Sequence, residues 1–334
     1  MIRAAQLILV LAAAGLWGAS RFTWVQISSF DGLGQPKTAA LSGATWSTAL
    51  VPLALLVLAA AVAAVGFVVI EKRSASPMLD LDLFRSRAFT ATTLVAMIAF
   101  LALIGFIFVL SMYFALVQQL GTVEAGWRLA LMNGASMLVG GLAGKMMHRI
   151  HARFLIGGGL LMVAGAQFAL LTLDAHTSFA AISWRLVVLG LGMGLVMAPM
   201  TATAVSAVPY HLSGMAAAGN NAFRQVGGAL GPAVLGALLT AGAVNSLPQK
   251  LIDAGVAEPV RDRVIGAVDT EGLAAASGLN LGADAPAVMN AVGDAFLDGM
   301  RLCLTFSGVL TAAAAILALV MLRPGRAVEE QPAG

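Results

Sequence analysis

Long uncharged stretches dominate the pattern of apolar and polar positions along the chain. Five stretches contain at least 21 residues without a charged side chain, and the longest, Leu186–Phe223, contains 38. An α-helix needs about 20 predominantly apolar residues to cross the hydrocarbon core of a bilayer. The pattern therefore predicts a multi-spanning membrane protein and excludes a soluble enzyme, a nucleic-acid-binding protein and a disordered chain.

These stretches, with a few shorter ones, predict an all-α polytopic membrane helix bundle. Strands fit poorly, because the segments are continuously apolar, whereas the strands of a membrane-spanning β-barrel alternate apolar and polar residues. The first segment also matches a secretory signal peptide, which is the alternative interpretation for that segment alone. The eight predicted helices run approximately over residues 4–20, 47–70, 89–117, 128–147, 154–173, 179–207, 213–243 and 298–322.

Composition and charge agree with this class and add an orientation. Only 10% of the 334 residues are charged, against roughly 25% in soluble domains. With the N-terminus inside, the inner segments carry ten basic and five acidic residues. An excess of Lys and Arg in short loops marks the cytoplasmic side. Both termini are therefore predicted to be cytoplasmic.

The segment 244–297 is predicted to be a polar external excursion, with seven acidic and three basic residues. Within it, Val260, Val264, Ile265 and Val268 recur at helical spacing. The pattern favours an amphipathic helix that caps the bundle. A binding lid is the alternative.

Acidic and histidine side chains avoid the centres of the predicted helices. All sixteen acids and all four histidines fall in loops or near helix ends, whereas a proton-relay carboxylate is expected in a helix centre. His148 and His151 have ligand-like spacing but lie among three basic residues, which disfavour a bound cation. Cys303 is the single cysteine, so it forms no intrachain disulfide. We predict no metal site, no cofactor and no catalytic group, so the chain is not expected to be an enzyme.

Four polar residues of the seventh predicted helix form two pairs one turn apart, Asn220 with Arg224 and Asn221 with Gln225. Arg224 lies roughly 15 Å from the inner helix end at 1.5 Å per residue. A charge at that depth normally faces a bundle interior or a wet cavity. We predict that these residues and Asn133 serve the substrate pathway or its gating. A structural role, in which Arg224 binds carbonyl groups of an adjacent helix end, is the alternative.

Glycine and proline interrupt the sixth and seventh predicted helices. Gly227 and Gly231 form the small-xxx-small pattern that permits close helix approach, and a proline inside a helix frees a carbonyl group. Such interruptions occur beside transporter pathways, although packing alone also explains them. Met193, Met197 and Met200 share a stripe that offers an adaptable surface. The residues assigned to packing or kinking are Gly190, Gly192, Gly194, Pro199, Gly227, Gly228, Gly231 and Pro232.

Two segments carry a family resemblance. They are residues 76–89 (SPMLDLDLFRSRAF), which follow an apolar helix, and residues 221–231 (NAFRQVGGALG). Both are similar to the fourteen-helix drug:proton antiporter branch of the major facilitator superfamily, as is the long external loop before a last helix. The resemblance implies that residues 1–75 form two linker transmembrane helices and that residues 76–334 form the C-terminal six-helix bundle.

The resemblance also implies a function. The family exports amphipathic drugs or metabolites in exchange for protons across the cell (inner) membrane. The six N-terminal helices, which hold the proton-coupling carboxylate in the family, are absent from this sequence. The expected partners are the lipid bilayer, a small amphipathic substrate, protons, and either a separate N-terminal half or a second copy of the chain. A non-transporting membrane subunit that binds another membrane protein is the alternative.

Cytoplasmic gating loops are the last implied feature. The basic loop of the superfamily appears at residues 144–153, where His148 replaces an acid and His151 replaces a glycine. These two replacements put the charge-paired latch of the inner gate in doubt on this side. The residues assigned to gating loops are Asp80, Asp82, Arg85, Gly144, Lys145, Arg149 and Arg153.

Overall fold

The computed structural model describes residues 23–30, 36–42 and 80–322, with isolated positions between 62 and 71. The predicted helix 4–20 lies outside the described residues, and so does most of the predicted helix 47–70. The chain divides into two compact units, Met1–Leu81 and Asp82–Gly334.

In the first unit, the described backbone is a β-hairpin. Strand β1 covers Thr23–Phe30 and pairs antiparallel with strand β2, Pro36–Ser42. The hairpin falls in the connection between the first two predicted helices, where the sequence analysis assigned no element. Several β-branched residues in β1 favour a strand. The pattern of long uncharged runs predicts helices on either side of this connection and does not reveal short strands within it.

The second unit is helical. The helices are α1 (Arg87–Met112), α2 (Thr122–Met146), α3 (Ala152–Ala169), α4 (Phe179–Ser206), α5 (Ser213–Asp253), α6 (Glu258–Glu271) and α7 (Ala285–Met321). A π-helical turn, Tyr113–Val117, follows α1, and short 3₁₀ turns connect several of the other helices.

Five segments of the described chain are long and apolar enough to cross a membrane, and they contain α1, α3, α4, α5 and α7. The fold class predicted from the sequence, an all-α polytopic bundle, is thereby confirmed. Helix α2 is helical as predicted, but Asn133, Lys145 and several glycines lower its mean hydropathy. Its position across the membrane stays a prediction.

Two helices are much longer than predicted. Helix α5 continues ten residues beyond 243, and α7 begins thirteen residues before 298. The extensions bury Leu247, Leu251, Val288 and Phe296 in the main core, and the ion pair between Lys250 and Asp298, at 3.2 Å, links them. The predicted external segment of 244–297 is therefore wrong in its bounds, because its polar residues occupy the outer faces of two amphipathic helical extensions.

Helix α6 occupies part of the remaining connection, residues 254–284. Its Val264 and Val268 are fully buried in the same core cluster as Leu247 of α5. Asp262 and Arg263 are exposed. This burial agrees with the prediction of an amphipathic helix that caps the bundle.

Candidate functional site

Arg224 projects from the first third of α5. It lies eleven residues from the first residue of the helix, Ser213, or about 16 Å along the axis. Its Nη2 donates a hydrogen bond to Asn221 Oδ1 at 3.0 Å, and its Nη1 lies 4.0 Å from the thioether of Met197. Its Cζ lies 5.3 Å from the ring centroid of Phe100. The Nε atom is buried and has no hydrogen-bond partner.

A small cavity of about 110 Å³ adjoins Arg224 between α1, α2 and α4. Arg224 contacts two of the residues that line it, Phe100 and Met197. The lining is apolar apart from one amide and one hydroxyl. It consists of Phe100, Leu103, Met132, Asn133, Ser136, Gly190, Met193 and Met197. We call this cavity together with Arg224 and Asn221 the Arg224 site.

Glycines bring the helices around this site into backbone contact. A Cβ atom on Gly190 would collide with the carbonyl group of Met132, and one on Gly194 would lie 2.5 Å from the carbonyl oxygen of Ser136. Helices α2 and α4 therefore touch without intervening side chains. Gly192 makes the same kind of contact on another face of α4, where an added Cβ would lie 2.6 Å from the carbonyl oxygen of Gly159 in α3.

The contact between α1 and α5 depends on Gly227 and Gly231. A Cβ on Gly227 would collide with the carbonyl group of Met97, and one on Gly231 would lie 2.5 Å from the carbonyl oxygen of Leu101. Gly228 differs, since an added Cβ would meet only a side-chain carbon of Ile104 at 3.5 Å. Pro199 and Pro232 lie within α4 and α5 respectively.

The structure separates the polar residues that the sequence analysis grouped. Asn133, Asn221 and Gln225 are exposed, and Arg224 is half-buried. Asn220 alone is fully buried, and neither its Oδ1 nor its Nδ2 has a hydrogen-bond partner. The exposed polar surface, formed by Asn133, Asn221, Arg224 and Gln225, therefore lies on α2 and α5, whereas Asn220 belongs to the packed interior.

The basic loop between α2 and α3 forms no ion pair within residues 80–322. Gly144, Lys145 and Arg149 are exposed, and the Cζ of Arg153 lies 4.4 Å from the ring centroid of Phe154. The replacement of an acid by His148 is consistent with this lack of a carboxylate partner.

The loop that precedes α1, unlike the basic loop, is stabilised by an ion pair and by a hydrogen bond to another helix. Arg85 forms an exposed ion pair with Asp82 at 3.8 Å, and Asp80 is half-buried. The hydroxyl group of Ser86 donates to the carbonyl of Ala207 at 3.1 Å, which joins the start of α1 to the end of α4.

A second polar cluster, at the opposite end of α1, was missed by the sequence analysis. The Tyr113 hydroxyl donates to the carbonyl of Asp174 at 2.7 Å, and Gln118 Nε2 donates to the Tyr113 oxygen at 3.1 Å. Arg128 Nη1 donates to Gln118 Oε1 at 2.7 Å, and its Nη2 donates to Glu124 at 2.7 Å. An open cavity of about 730 Å³ lies beside this cluster. The Gln118-Gln119 pair directly after an apolar run was the available signal.

Asp174 stabilises the turn that closes this cluster. Its carboxylate accepts a hydrogen bond from the Thr177 hydroxyl at 2.8 Å and one from the backbone N–H of His176 at 2.9 Å. The Thr177 hydrogen bond is the main reason why the pKa of Asp174 is lowered. The charged form of Asp174 therefore stabilises the folded turn, and this contribution is lost as the pH falls through the lowered pKa.

Comparison with known proteins gives relatives that are named as drug exporters. The chain is 31% identical over 280 residues to the tetracenomycin C resistance and export protein of Streptomyces glaucescens, covering 82% of this chain and 52% of that protein. It is 36% identical over 177 residues to the multidrug efflux pump LfrA of Mycolicibacterium smegmatis, covering 52% of this chain and 35% of the pump. It is 32% identical over 206 residues to the multidrug resistance protein Stp of Mycobacterium tuberculosis, covering 62% of this chain and 38% of that protein. The chain thus spans about half the length, or less, of these relatives.

Two further comparisons concern the fold and the N-terminal region. A crystal structure of a bacterial homolog of the human lysosomal transporter Spinster, in an inward-facing conformation, matches with a TM-score of 0.55 and 19% identity. The match covers 74% of this chain and 50% of that chain, and at this identity it concerns the fold alone. Residues 6–73 match the family model described as tryptophan-associated transmembrane protein. The chain is therefore a multi-pass membrane protein with the fold of a transporter bundle and with drug efflux transporters among its relatives.

Proposed function

We propose that the chain is the C-terminal bundle, with two preceding linker helices, of a fourteen-helix drug:proton antiporter of the major facilitator superfamily. In this proposal it exports amphipathic drugs or metabolites together with a second helical bundle. The second bundle is either a separate N-terminal half or another copy of the chain. Residues 1–75 are the proposed linker helices, and residues 76–334 the proposed bundle.

The exposed polar surface carries the proposal. Asn133 lies near the middle of α2, and Asn221 and Gln225 lie 8 and 12 residues from the first residue of α5. All three are exposed, and Arg224 is only half covered. Polar and charged side chains at membrane depth are costly in lipid, so they face protein or a water-filled cavity. A second bundle opposite α2 and α5 would cover this surface and leave a wet path between the two bundles, as alternating access requires.

The lining of the Arg224 site suits amphipathic substrates. Met193 and Met197 present flexible, polarisable thioethers beside the ring of Phe100, which is a surface that adapts to different apolar shapes. The cavity of about 110 Å³ is smaller than the roughly 300–1,000 Å³ of drug-sized sites. It would hold one part of a substrate, and the second bundle would supply the rest of the site.

Proton coupling is proposed to depend on a carboxylate of the second bundle. Within the described part of α7, Asp298 lies 23 residues from Met321, or about 35 Å along the helix axis. That distance exceeds the hydrocarbon thickness of about 30 Å, and Asp298 is paired with Lys250 and Arg301. It is therefore an interfacial ion-pair residue rather than a proton carrier at the membrane centre.

Co-expression tests the proposal in cells. In a bacterium that lacks its own drug exporters, the chain together with the N-terminal half of a similar exporter is expected to raise the tolerated drug concentration. Either half alone should leave drug tolerance unchanged. Stable association of the two halves without any efflux would favour a non-transporting subunit and contradict the proposal.

The proposed topology gives a separate prediction. With both termini cytoplasmic, an alkaline phosphatase reporter fused after Arg326 is expected to be inactive, whereas the same reporter inserted near Gly282 should be active, because that enzyme folds only outside the cytoplasm. The matched control is a fluorescent reporter that folds only inside, at the same two positions. Reversed activities at these two positions would contradict the orientation.

A further inference from the structure

We infer that the Arg224 site selects planar, aromatic substrates that carry a negative charge, such as an ionised carboxylate or phenolate, over cationic drugs. This inference rests on the proposed function, since it names the substrate class of the same site. It goes beyond that function because a drug exporter of this architecture could equally take cations or neutral molecules.

The charge of the site is the first argument. A guanidinium group carries a fixed positive charge, and its closest polar contact is the neutral amide of Asn221 at 3.0 Å. Arg224 forms no ion pair with any residue in the described range 80–322. An unpaired charge in a medium of low dielectric constant attracts an opposite charge strongly and repels a like one. A cationic drug at this site would place two positive charges side by side.

The unused donors are the second argument. Nη2 is bound to Asn221, whereas Nε is buried without a partner and Nη1 has only the weak thioether contact with Met197 at 4.0 Å. The Nη1 group therefore keeps N–H donor capacity that no protein oxygen uses. A carboxylate or phenolate oxygen that accepts from this group makes a charge-assisted hydrogen bond.

The surroundings of Nη1 are the third argument, and they specify the aromatic part of the substrate. Nη1 points at Met197, which also lines the adjoining cavity of about 110 Å³. The cavity offers the ring of Phe100 and the thioethers of Met132 and Met193, and sulfur atoms make favourable contacts with aromatic rings. A carboxylate on the guanidinium would thus place its attached ring toward the cavity.

Three probes of matched shape test the inference on the purified chain in nanodiscs of neutral lipid. They are 2-naphthoate, 2-naphthylmethanol and 2-naphthylmethylammonium, measured by equilibrium dialysis with naphthalene fluorescence. We expect 2-naphthoate to bind at least tenfold more tightly than the ammonium probe. Arg224→Gln should weaken 2-naphthoate binding at least tenfold and leave the neutral alcohol within twofold.

Two further variants separate the site from overall charge. Arg185→Gln removes the same charge from the outer part of α4, where Arg185 binds Thr172, and should leave all three affinities unchanged. Arg224→Lys keeps the charge but loses the planar guanidinium group and its Nη1 donors, so it should retain a preference for the anion with weaker binding. Thermal midpoints of all variants establish that they are folded.

Several results would overturn the inference. They are equal or tighter binding of the ammonium probe, unchanged naphthoate binding in Arg224→Gln, or no binding of any probe to the folded chain. Failure of the proposed function is a separate outcome. If the co-expressed halves export cations as well as anions, the inferred anion selectivity is wrong but the proposed transport function is supported. If naphthoate binds through Arg224 but no pair of bundles gives efflux, the proposed transport function is wrong but the inferred anion site is supported.

Discussion

Replacing Gly227 with alanine is expected to destabilise the bundle by about 2–3 kcal/mol, the upper range for an overpacked interior. The added Cβ would collide with the carbonyl oxygen, carbonyl carbon and Cα of Met97. These are backbone atoms of α1, so no side-chain rotation can relieve the collision and the two helices must separate. The free energy of unfolding falls because α1 and α5 lose part of their close backbone contact, which also includes Gly231 and Gly105.

The neighbouring glycine provides a matched control. Gly228→Ala adds the same methyl group one residue away, where it meets only Ile104 Cγ1 at 3.5 Å, an ordinary contact. Alanine also has the higher helix propensity, so this variant should be neutral or slightly stabilising. Cys303 is the single cysteine and is buried, so the reaction of a thiol-reactive dye during heating reports unfolding directly. Equal unfolding midpoints for the two variants would show that α1 and α5 do not pack through Gly227.

Asn220→Leu is expected to stabilise the chain by about 1–3 kcal/mol, which is the cost of a buried polar group without partners. The Asn220 side chain is 0% exposed, and both of its polar atoms lack hydrogen-bond partners. Leucine has a similar shape and no polar atom, so the substitution removes the cost while it keeps the packing. The same dye assay should show a higher unfolding midpoint.

Asn221→Leu is the control for Asn220→Leu. Asn221 is exposed and accepts the hydrogen bond from Arg224, so its replacement should not raise the midpoint. A loss of stability in Asn220→Leu would mean that Asn220 has a partner in the membrane-embedded protein. In α1, which packs against α5, the buried hydroxyl group of Thr93 also lacks a hydrogen-bond partner.

Helices α1, α3, α4, α5 and α7 could be predicted from the sequence because each overlaps an uncharged run of about 20 residues or more, which is long enough to cross a membrane. Their ends could not be predicted in the same way. The extensions of α5 and α7 beyond 243 and before 298 are amphipathic, so polar residues such as Lys250 and Asp294 interrupt the apolar pattern while Leu251 and Val288 remain buried. A rule based on apolar length ends a helix where polar residues become frequent, whereas the folded helices pair Lys250 with Asp298 and continue.

The polar residues of the Arg224 site could be predicted from the sequence, but the directions of their side chains could not. Helical spacing places Asn220 and Arg224 one turn apart on one stripe, yet the structure buries Asn220 and joins Arg224 to Asn221 instead. Spacing within one helix does not state which stripe meets a neighbour. The stripe that meets a neighbour is the one where glycines such as Gly227 allow close approach. The position of Arg224 also depends on Phe100 and Met197, which lie in other helices and cannot be connected to Arg224 by a local sequence pattern.

Proton-driven transport by the chain alone is the most direct test of the central claim, that this bundle needs a second one. The measurement is uptake of a fluorescent drug into proteoliposomes under an imposed pH gradient, with the purified chain alone and with the chain plus the N-terminal half of a similar exporter. We expect no gradient-dependent uptake with the chain alone, because the proposed function assigns the proton-carrying carboxylate and the opposite wall of the path to a second bundle. Uptake is expected when both halves are present. Gradient-dependent uptake by the purified chain alone would contradict the account.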